Sequence, residues 1–505
     1  MSDNALREQL QAIREGIANL ITLGEFDQAQ AVIEEYRRAV GPLDPDAYVL
    51  QAELSLSRGE QARALRHLEM GLIADWHNAD LLYSLGNLYF STGHEGFQRA
   101  YFEDAAFCYA RALPGCTGER EKLILENLRT IETYRQEARL VDVAVEENPL
   151  PSLTQSAGFL ERLLRSIFDH SYCYYPYNLD LEHAKNRGMR PGEIALVNPS
   201  VERQAILRHL QGIERLDQLL ADGASRELLV TLLTYRILGN WKVKLPTDTP
   251  DYWAMRATAR SLARPQSLHL ESSDRWLSLL DLEEAGFRLR MFDAPHQICA
   301  TFLVKQYEHG TLVRPEPGDV VLDCGGCWGD TALYFAHEVG TEGQVHSFEF
   351  IPSNLEVFRR NMGLNPDMQD CIRVVERPLW ERSGLPMRYV DEGVASRVTF
   401  GNRGEGETVC TLSIDDYVQQ AGLRKIDFIK MDIEGAEVPA LKGAVETIRT
   451  RRPKLAITIY HQVSDFSDVV SFLNDLDLGY EFYLGHFTTY YGETVLFAVP
   501  PRAGQ

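Results

Sequence analysis

Along the first 115 residues apolar positions recur at helical spacing, and no alternating run marks a strand. The pattern also repeats. Gly24 followed by Ala29 returns 35 residues on as Gly59 with Ala64, and Asp46 with Gly59 returns 34 residues on as Asp80 with Gly93. That period predicts stacked helix-turn-helix units. Residues 116–300 continue as amphipathic helix, for example Ser225–Leu238, which stops at Gly239 as a helix end should. From Gly318 the texture changes to short apolar runs alternating with helical segments, the mark of a parallel sheet in a doubly wound α/β fold. Asp319–Asp323 reads as its first strand, Thr331–His337 as the helix behind it and Gln344–Glu349 as the second strand. Ile426–Asp432 reads as a fourth, Lys454–Tyr460 as a fifth, and Tyr480–Leu484 with Glu493–Val499 as a terminal hairpin. The predicted division is 1–115 helical repeats, 116–300 a mainly helical middle region, and 301–505 the α/β domain.

Composition narrows the function without naming it. A chain of 505 residues, at roughly 150 per domain, suggests about three structural units. Its 45% hydrophobic and 25% charged residues are globular values. With 73 acidic against 51 basic residues the formal charge is -22, which disfavours a phosphate backbone, so no nucleic-acid partner is expected. No run of about 18 apolar residues occurs, and Met1-Ser-Asp-Asn-Ala-Leu-Arg-Glu8 lacks a basic region leading into an apolar one. The expectation is a cytoplasmic protein with no membrane span. Eight scattered cysteines show no disulfide framework, and Cys324 with Cys327 reads as two small residues in a tight turn. The aromatic run Tyr172-Cys-Tyr-Tyr-Pro-Tyr177 reads as packing between helical layers sooner than as the lining of a carbohydrate or aromatic ligand site.

The repeated segment, roughly residues 5–115, resembles tetratricopeptide repeats. The likeness rests on its period and on Asn78-Ala-Asp-Leu-Leu-Tyr-Ser-Leu-Gly-Asn-Leu-Tyr89, with a departure at His94–Ala100, where the third copy carries an insertion. It implies a groove for a protein partner, or else helices that only pack on their own enzyme.

The most informative stretch is Val320-Val-Leu-Asp-Cys-Gly-Gly-Cys-Trp-Gly-Asp330, a strand, a glycine turn and the start of a helix. Glu349, at the tip of the second strand and 20 residues past Gly329, stands where an acid accepts both ribose hydroxyls of a nucleoside. A dinucleotide fingerprint fails, because Gly-x-Gly-x-x-Gly counted from Gly325 lands on Cys327 and Asp330. What remains is Asp323-x-Gly325-x-x-x-Gly329-Asp330. Carboxylates around a helix N-terminus repel a pyrophosphate but tolerate a cofactor bearing an ammonium and a sulfonium and no phosphate. S-adenosylmethionine fits that description.

In a sheet ordered 3-2-1-4-5 the fourth strand lies beside the first, which places Asp432 and Glu434 at the switch-point crevice. The fifth strand delivers His461 to the same edge. Lys430 reads as the partner of a neighbouring carboxylate, and Glu437 as readily caps the next helix as joins a site.

The last 190 residues resemble FkbM-type methyltransferases. The match is carried by Val321–Thr331, Phe348-Glu-Phe-Ile-Pro-Ser-Asn354, Thr411–Asp416, Lys430-Met-Asp-Ile-Glu-Gly-Ala-Glu437, Tyr460–Asp465 and Leu484–His486. The resemblance implies a class I methyltransferase fold, a doubly wound sheet of seven strands ending in an antiparallel hairpin. It implies O-methylation of a hydroxyl on a sugar, glycan or polyketide-like acceptor. It also adds Gly326, Thr331, Phe350 and Asn354 to Asp323, Gly325, Gly329, Asp330 and Glu349 as cofactor residues. Family members usually carry Ala-Asn where this chain has Gly326-Cys327, so the contact at the methionine end differs. Methyl transfer to a hydroxyl needs in-line alignment and removal of one proton. His461, with an unperturbed pKa near neutrality, is the first candidate base. Asp432 and Glu434 are rivals for that role, or they orient the acceptor or hold a divalent cation, Mg²⁺ or Ca²⁺ suiting oxygen ligands. The alternatives are a protein-directed methyltransferase and a repeat-based interaction protein with an inactive methyltransferase fold.

Overall fold

The structure is a computed structural model that describes residues 3–143, 150–175, 178, 198–272, 275–391, 397–400 and 406–501. The chain forms two compact units, one of residues 1–210 with 230–243 and one of 211–229 with 244–505, so the units cut across the expected middle region.

Helices Asp3–Thr22, Phe26–Val40, Pro45–Ser57, Gln61–Ala74, Ala79–His94, Arg99–Ala112 and Glu119–Gln136 open the first unit. The local chemistry sets their starts: Asp44 accepts from Ala47 N ahead of Pro45, and Asn78 accepts from Leu81 N, each satisfying a donor the helix leaves unpaired. Those two helices begin 34 residues apart, at Pro45 and Ala79. The small residues of the repeat serve close packing, since a Cβ on Gly71 would meet Leu81 and Tyr48, and one on Gly86 would meet the Tyr109 ring. The aromatic run does not pack between layers where it is described. Tyr172 and Tyr174 are exposed, Tyr174 stacking on Trp241, while Pro176 and Tyr177 lie outside the described residues.

The second unit holds three sheets. The first is an antiparallel meander of β1 (Ala263–Leu270), β2 (Arg275–Asp281) and β3 (Arg290–Asp293), in a region expected to be mainly helical. The sequence misleads there because β1 buries only Leu270 fully and so shows no clean alternation. The main sheet contains β4 (Val320–Cys324), β5 (Gln344–Phe348) and β6 (Ile372–Val375). A small sheet of β7 (Pro386–Val390), β8 (Arg397–Phe400) and β9 (Glu407–Cys410) is inserted next. The main sheet resumes with β10 (Phe428–Met431), β11 (Lys454–Thr458), β12 (Glu481–His486) and β13 (Thr494–Val499).

The seven-stranded order is β12-β13-β11-β10-β4-β5-β6, with β13 antiparallel to both neighbours and the other pairs parallel. This is the class I methyltransferase sheet. Its central strands are buried along their whole length, as helices on both faces require, so β4 and β10 are continuous apolar runs broken only by Asp323 and Lys430. The register sets Asp323 directly between Ser347 on β5 and Lys430 on β10. Among the described residues no helix is long and apolar enough to cross a membrane.

Candidate active site

Three hydrogen-bonding side chains converge on the end of β4. Asp323, with no exposed surface, accepts from Thr331 Oγ1 at 2.9 and 3.0 Å and from Ser347 Oγ at 2.6 Å, and pairs with Lys430 Nζ at 3.2 Å. Lys430 Nζ also donates to the carbonyl of Gly325 at 2.6 Å. Asp323 is therefore an internal anchor that fixes the turn from below, and the expected direct contact with a cofactor is not what this geometry offers. Thr331 belongs to the same anchor.

Above that anchor the glycines make the turn possible. Gly325 and Gly329 adopt φ of 96° and 87°, the left-handed region that costs other residues strain. A Cβ on Gly325 would run into the carbonyl oxygen of Asp432, and one on Gly326 into Ser347 Oγ. The backbone of the turn thus comes close to the backbone just past the tip of β10.

Carboxyls crowd the far side. Asp330 accepts from Thr301 Oγ1 at 2.8 Å, and burial pushes its carboxyl up. Asp293 at the end of β3, wholly buried near it, is pushed far up by burial and by Asp330. Glu349 Oε1 accepts from the amides of Phe350 at 2.5 Å and Ile351 at 2.7 Å, and Oε2 from Asn354 Nδ2 at 3.2 Å. Burial outweighs those bonds and raises Glu349 to about 7. Asn354 accepts from Trp328 Nε1 at 3.2 Å, so it braces Glu349, while Phe350 is half-buried edge-on to Tyr389. Cys327 is pushed well up by burial and by the neighbouring carboxylates, which keeps it a thiol.

The second cluster sits where β10 and β11 end. Asp432 accepts from Tyr307 Oη at 2.8 Å and from Tyr460 Oη at 3.4 Å. Glu434 adopts φ of 57° beside Gly435 at 93°, a strained turn for a non-glycine residue, and its side chain is 66% exposed. His461 lies 3.4 Å from Asp432 Oδ1, 3.7 Å from Glu434 Oε2 and 3.3 Å from Glu437 Oε1.

Burial alone would lower the His461 pKa, but Glu437, Asp432 and Glu434 together raise it to about 10. These carboxylates favour the charged ring over the neutral one, so a carboxylate at the crevice suits proton removal better than His461 does. The structure settles the place of Glu437, which the sequence left between cap and site, and brings in Glu493, which it left aside. Glu437 is buried, its Oε1 held by Ile433 N at 2.9 Å, and it faces His461. Glu493, just before β13, is pushed up by burial and by Asp432. Glu493 follows a turn and precedes an apolar strand, which gave no sign of a site.

Residues 323–482 match the methyltransferase FkbM domain family. The 2-O-methyltransferase NoeI of Sinorhizobium fredii (strain NBRC 101917 / NGR234) is 28% identical over 172 residues, 30% of this chain, and the chain spans 66% of that protein's length. The crystal structure of methyltransferase FkbM from Methylobacillus flagellatus KT aligns over 73% of this chain and 76% of that one, with 19% identity and a TM-score of 0.38. Residues 323–482, which carry the anchored glycine turn with Asp432, Glu437 and His461, thus match a methyltransferase FkbM domain.

Proposed function

We propose that the chain is an S-adenosylmethionine-dependent O-methyltransferase acting on a hydroxyl of a sugar or glycan. The observation that carries this reading is the backbone contact between Gly325 and Asp432, which puts the cofactor turn and the acidic crevice side by side. The name of the relative NoeI, a 2-O-methyltransferase, supports hydroxyl oxygen as the acceptor.

The residues present fit the cofactor. Glu349, Asp330 and Asp293 are buried carboxyls pushed up chiefly by loss of water. A ligand bearing an ammonium and a sulfonium would favour their charged forms, whereas a pyrophosphate would oppose them. Glu349 Oε2 accepts only from Asn354 and so keeps a lone pair for a ribose hydroxyl, while the amide bonds to Oε1 fix the carboxylate in place. Bound S-adenosylmethionine supplies an electrophilic methyl group.

The protein's part is alignment and proton removal. Glu434, exposed on a strained turn at the crevice, takes the proton of the acceptor hydroxyl, and Asp432, held by Tyr307, orients it. A divalent cation held near Asp432 would add Lewis-acid polarisation of that hydroxyl. Incubation with methyl-labelled cofactor and free or lipid-linked oligosaccharides tests the proposal. Label in an alkali-stable ether on sugar supports it, and label recovered only in protein overturns it.

A further inference from the structure

Beyond the glycine turn, the described residues bring together one set of three side chains whose ligand atoms lie within 4.8 Å of one another, those of Asp432, Glu437 and His461. We propose that these three form the seat of a single divalent transition ion of the Mn²⁺ class, with Glu434 outside the ligand set. Its use in methyl transfer rests on the reading above; its binding does not.

An acidic cluster alone would not carry this. The second observation is that the donors are buried yet unsatisfied. The His461 side chain is 9% exposed and that of Glu437 1%, and among the described residues neither ring nitrogen of His461 nor Glu437 Oε2 has a hydrogen-bond partner. Buried polar atoms without partners are costly, so three in one place ask for a ligand. The contacts of 3.3 and 3.4 Å between the ring and the two carboxylates are ion-pair distances without hydrogen-bond geometry.

The surroundings hold the carboxylates as an outer shell should. Tyr307 binds Asp432 Oδ2 at 2.8 Å, while Oδ1, which accepts only the long bonds of Tyr460 Oη and Thr458 Oγ1 at 3.4 Å, faces His461. Ile433 N at 2.9 Å and Thr458 Oγ1 at 3.3 Å bind Glu437 Oε1, which leaves Oε2. Three protein donors with Asp432 partly exposed leave open positions, as at a site that must admit an acceptor oxygen.

The donor set also selects the metal. Mg²⁺ and Ca²⁺ take oxygen ligands, whereas one imidazole with two carboxylates suits a borderline ion such as Mn²⁺ or Zn²⁺. Glu434, 66% exposed and 3.7 Å from the ring, lies outside this ligand set. This ligand set differs from the pair Asp432 and Glu434 expected to hold Mg²⁺ or Ca²⁺.

The test uses the full chain, stripped with chelator, without cofactor or acceptor. Mn²⁺ is titrated by electron paramagnetic resonance, and the bound ion is then examined by spin-echo modulation for ¹⁴N coupling. One Mn²⁺ per chain is expected, with directly bound ¹⁴N and displacement by Zn²⁺ but not by equimolar Mg²⁺. Glu437→Gln should weaken Mn²⁺ at least tenfold, and His461→Ala should abolish the ¹⁴N signal, with melting profiles confirming that the variants fold. No bound Mn²⁺ at millimolar ion, or bound Mn²⁺ without ¹⁴N coupling in the unaltered protein, overturns the proposal, and the latter needs no variant. If Mn²⁺ binds as predicted while S-adenosylmethionine does not, the site stands and the methyl-transfer reading falls.

Discussion

Replacing Lys430 by Met tests the anchor beneath the cofactor turn. Burial opposes the charge on Lys430, yet Asp323, Asp432 and Asp330 raise its pKa, so the ammonium is held where it lies. Its side chain is 2% exposed and that of Asp323 0%. Lys430→Met keeps the length and apolar stem but leaves the Asp323 carboxylate with only two hydroxyl donors. Removing one partner of a buried pair costs about 3–5 kcal/mol. That is a loss of roughly two to four powers of ten in amide protection, to be read by native-state hydrogen exchange in β4 and β10, which reports on this sheet alone. Lys430 also ties down the Gly325 carbonyl, so cofactor affinity should fall with stability. Adding Asp323→Asn removes the orphaned charge, and the double variant should recover at least half the lost protection. A loss under about 1 kcal/mol for Lys430→Met, or no recovery in the double variant, refutes the pairing as the anchor.

Other outcomes follow from single contacts. Gly325→Ala puts a methyl against the Asp432 carbonyl at positive φ, so it should cost about 2 kcal/mol or more and abolish cofactor binding by calorimetry. Glu349 has its folded pKa raised from 4.5 to about 7, so its contribution to apo stability is present below about 4.5 and is lost as pH rises through 7. Cofactor binding needs the carboxylate and so should tighten from pH 6 to 8 with proton release; Glu349→Gln should bind weakly and without that pH dependence. Glu434→Gln should lower kcat by about 10²–10⁴ with little change in cofactor affinity. Glu434→Gly should be equally inactive yet about 1 kcal/mol more stable in urea, because it relieves the left-handed turn.

The sheet was legible because its strands are short apolar runs broken at fixed places by glycine, and because Asp323 and Glu349 fall at strand tips. The β1–β3 meander was not, since β2 reads Trp-Leu-Ser-Leu-Leu, a spacing that suits a helix as well as a strand, and its Trp276 points outward. Within the site, the presence of Asp432 and His461 followed from strand order, but their relation did not. The positive φ at Glu434 and Gly435 turns Glu437 back onto His461, which converts a prospective helix cap into a buried carboxylate against the ring. The ring's basicity depends on that neighbour, so the choice of base could not be read from residue types. Likewise Asp323 looked like a ligand contact until the register showed Lys430 and Ser347 on either side of it.

Calorimetric titration of the folded chain with S-adenosylmethionine bears most directly on the central claim. One saturable site per chain, lost in Gly325→Ala and weakened in Glu349→Gln, is the predicted result; no heat of binding, in a sample whose melting profile shows it folded, contradicts it.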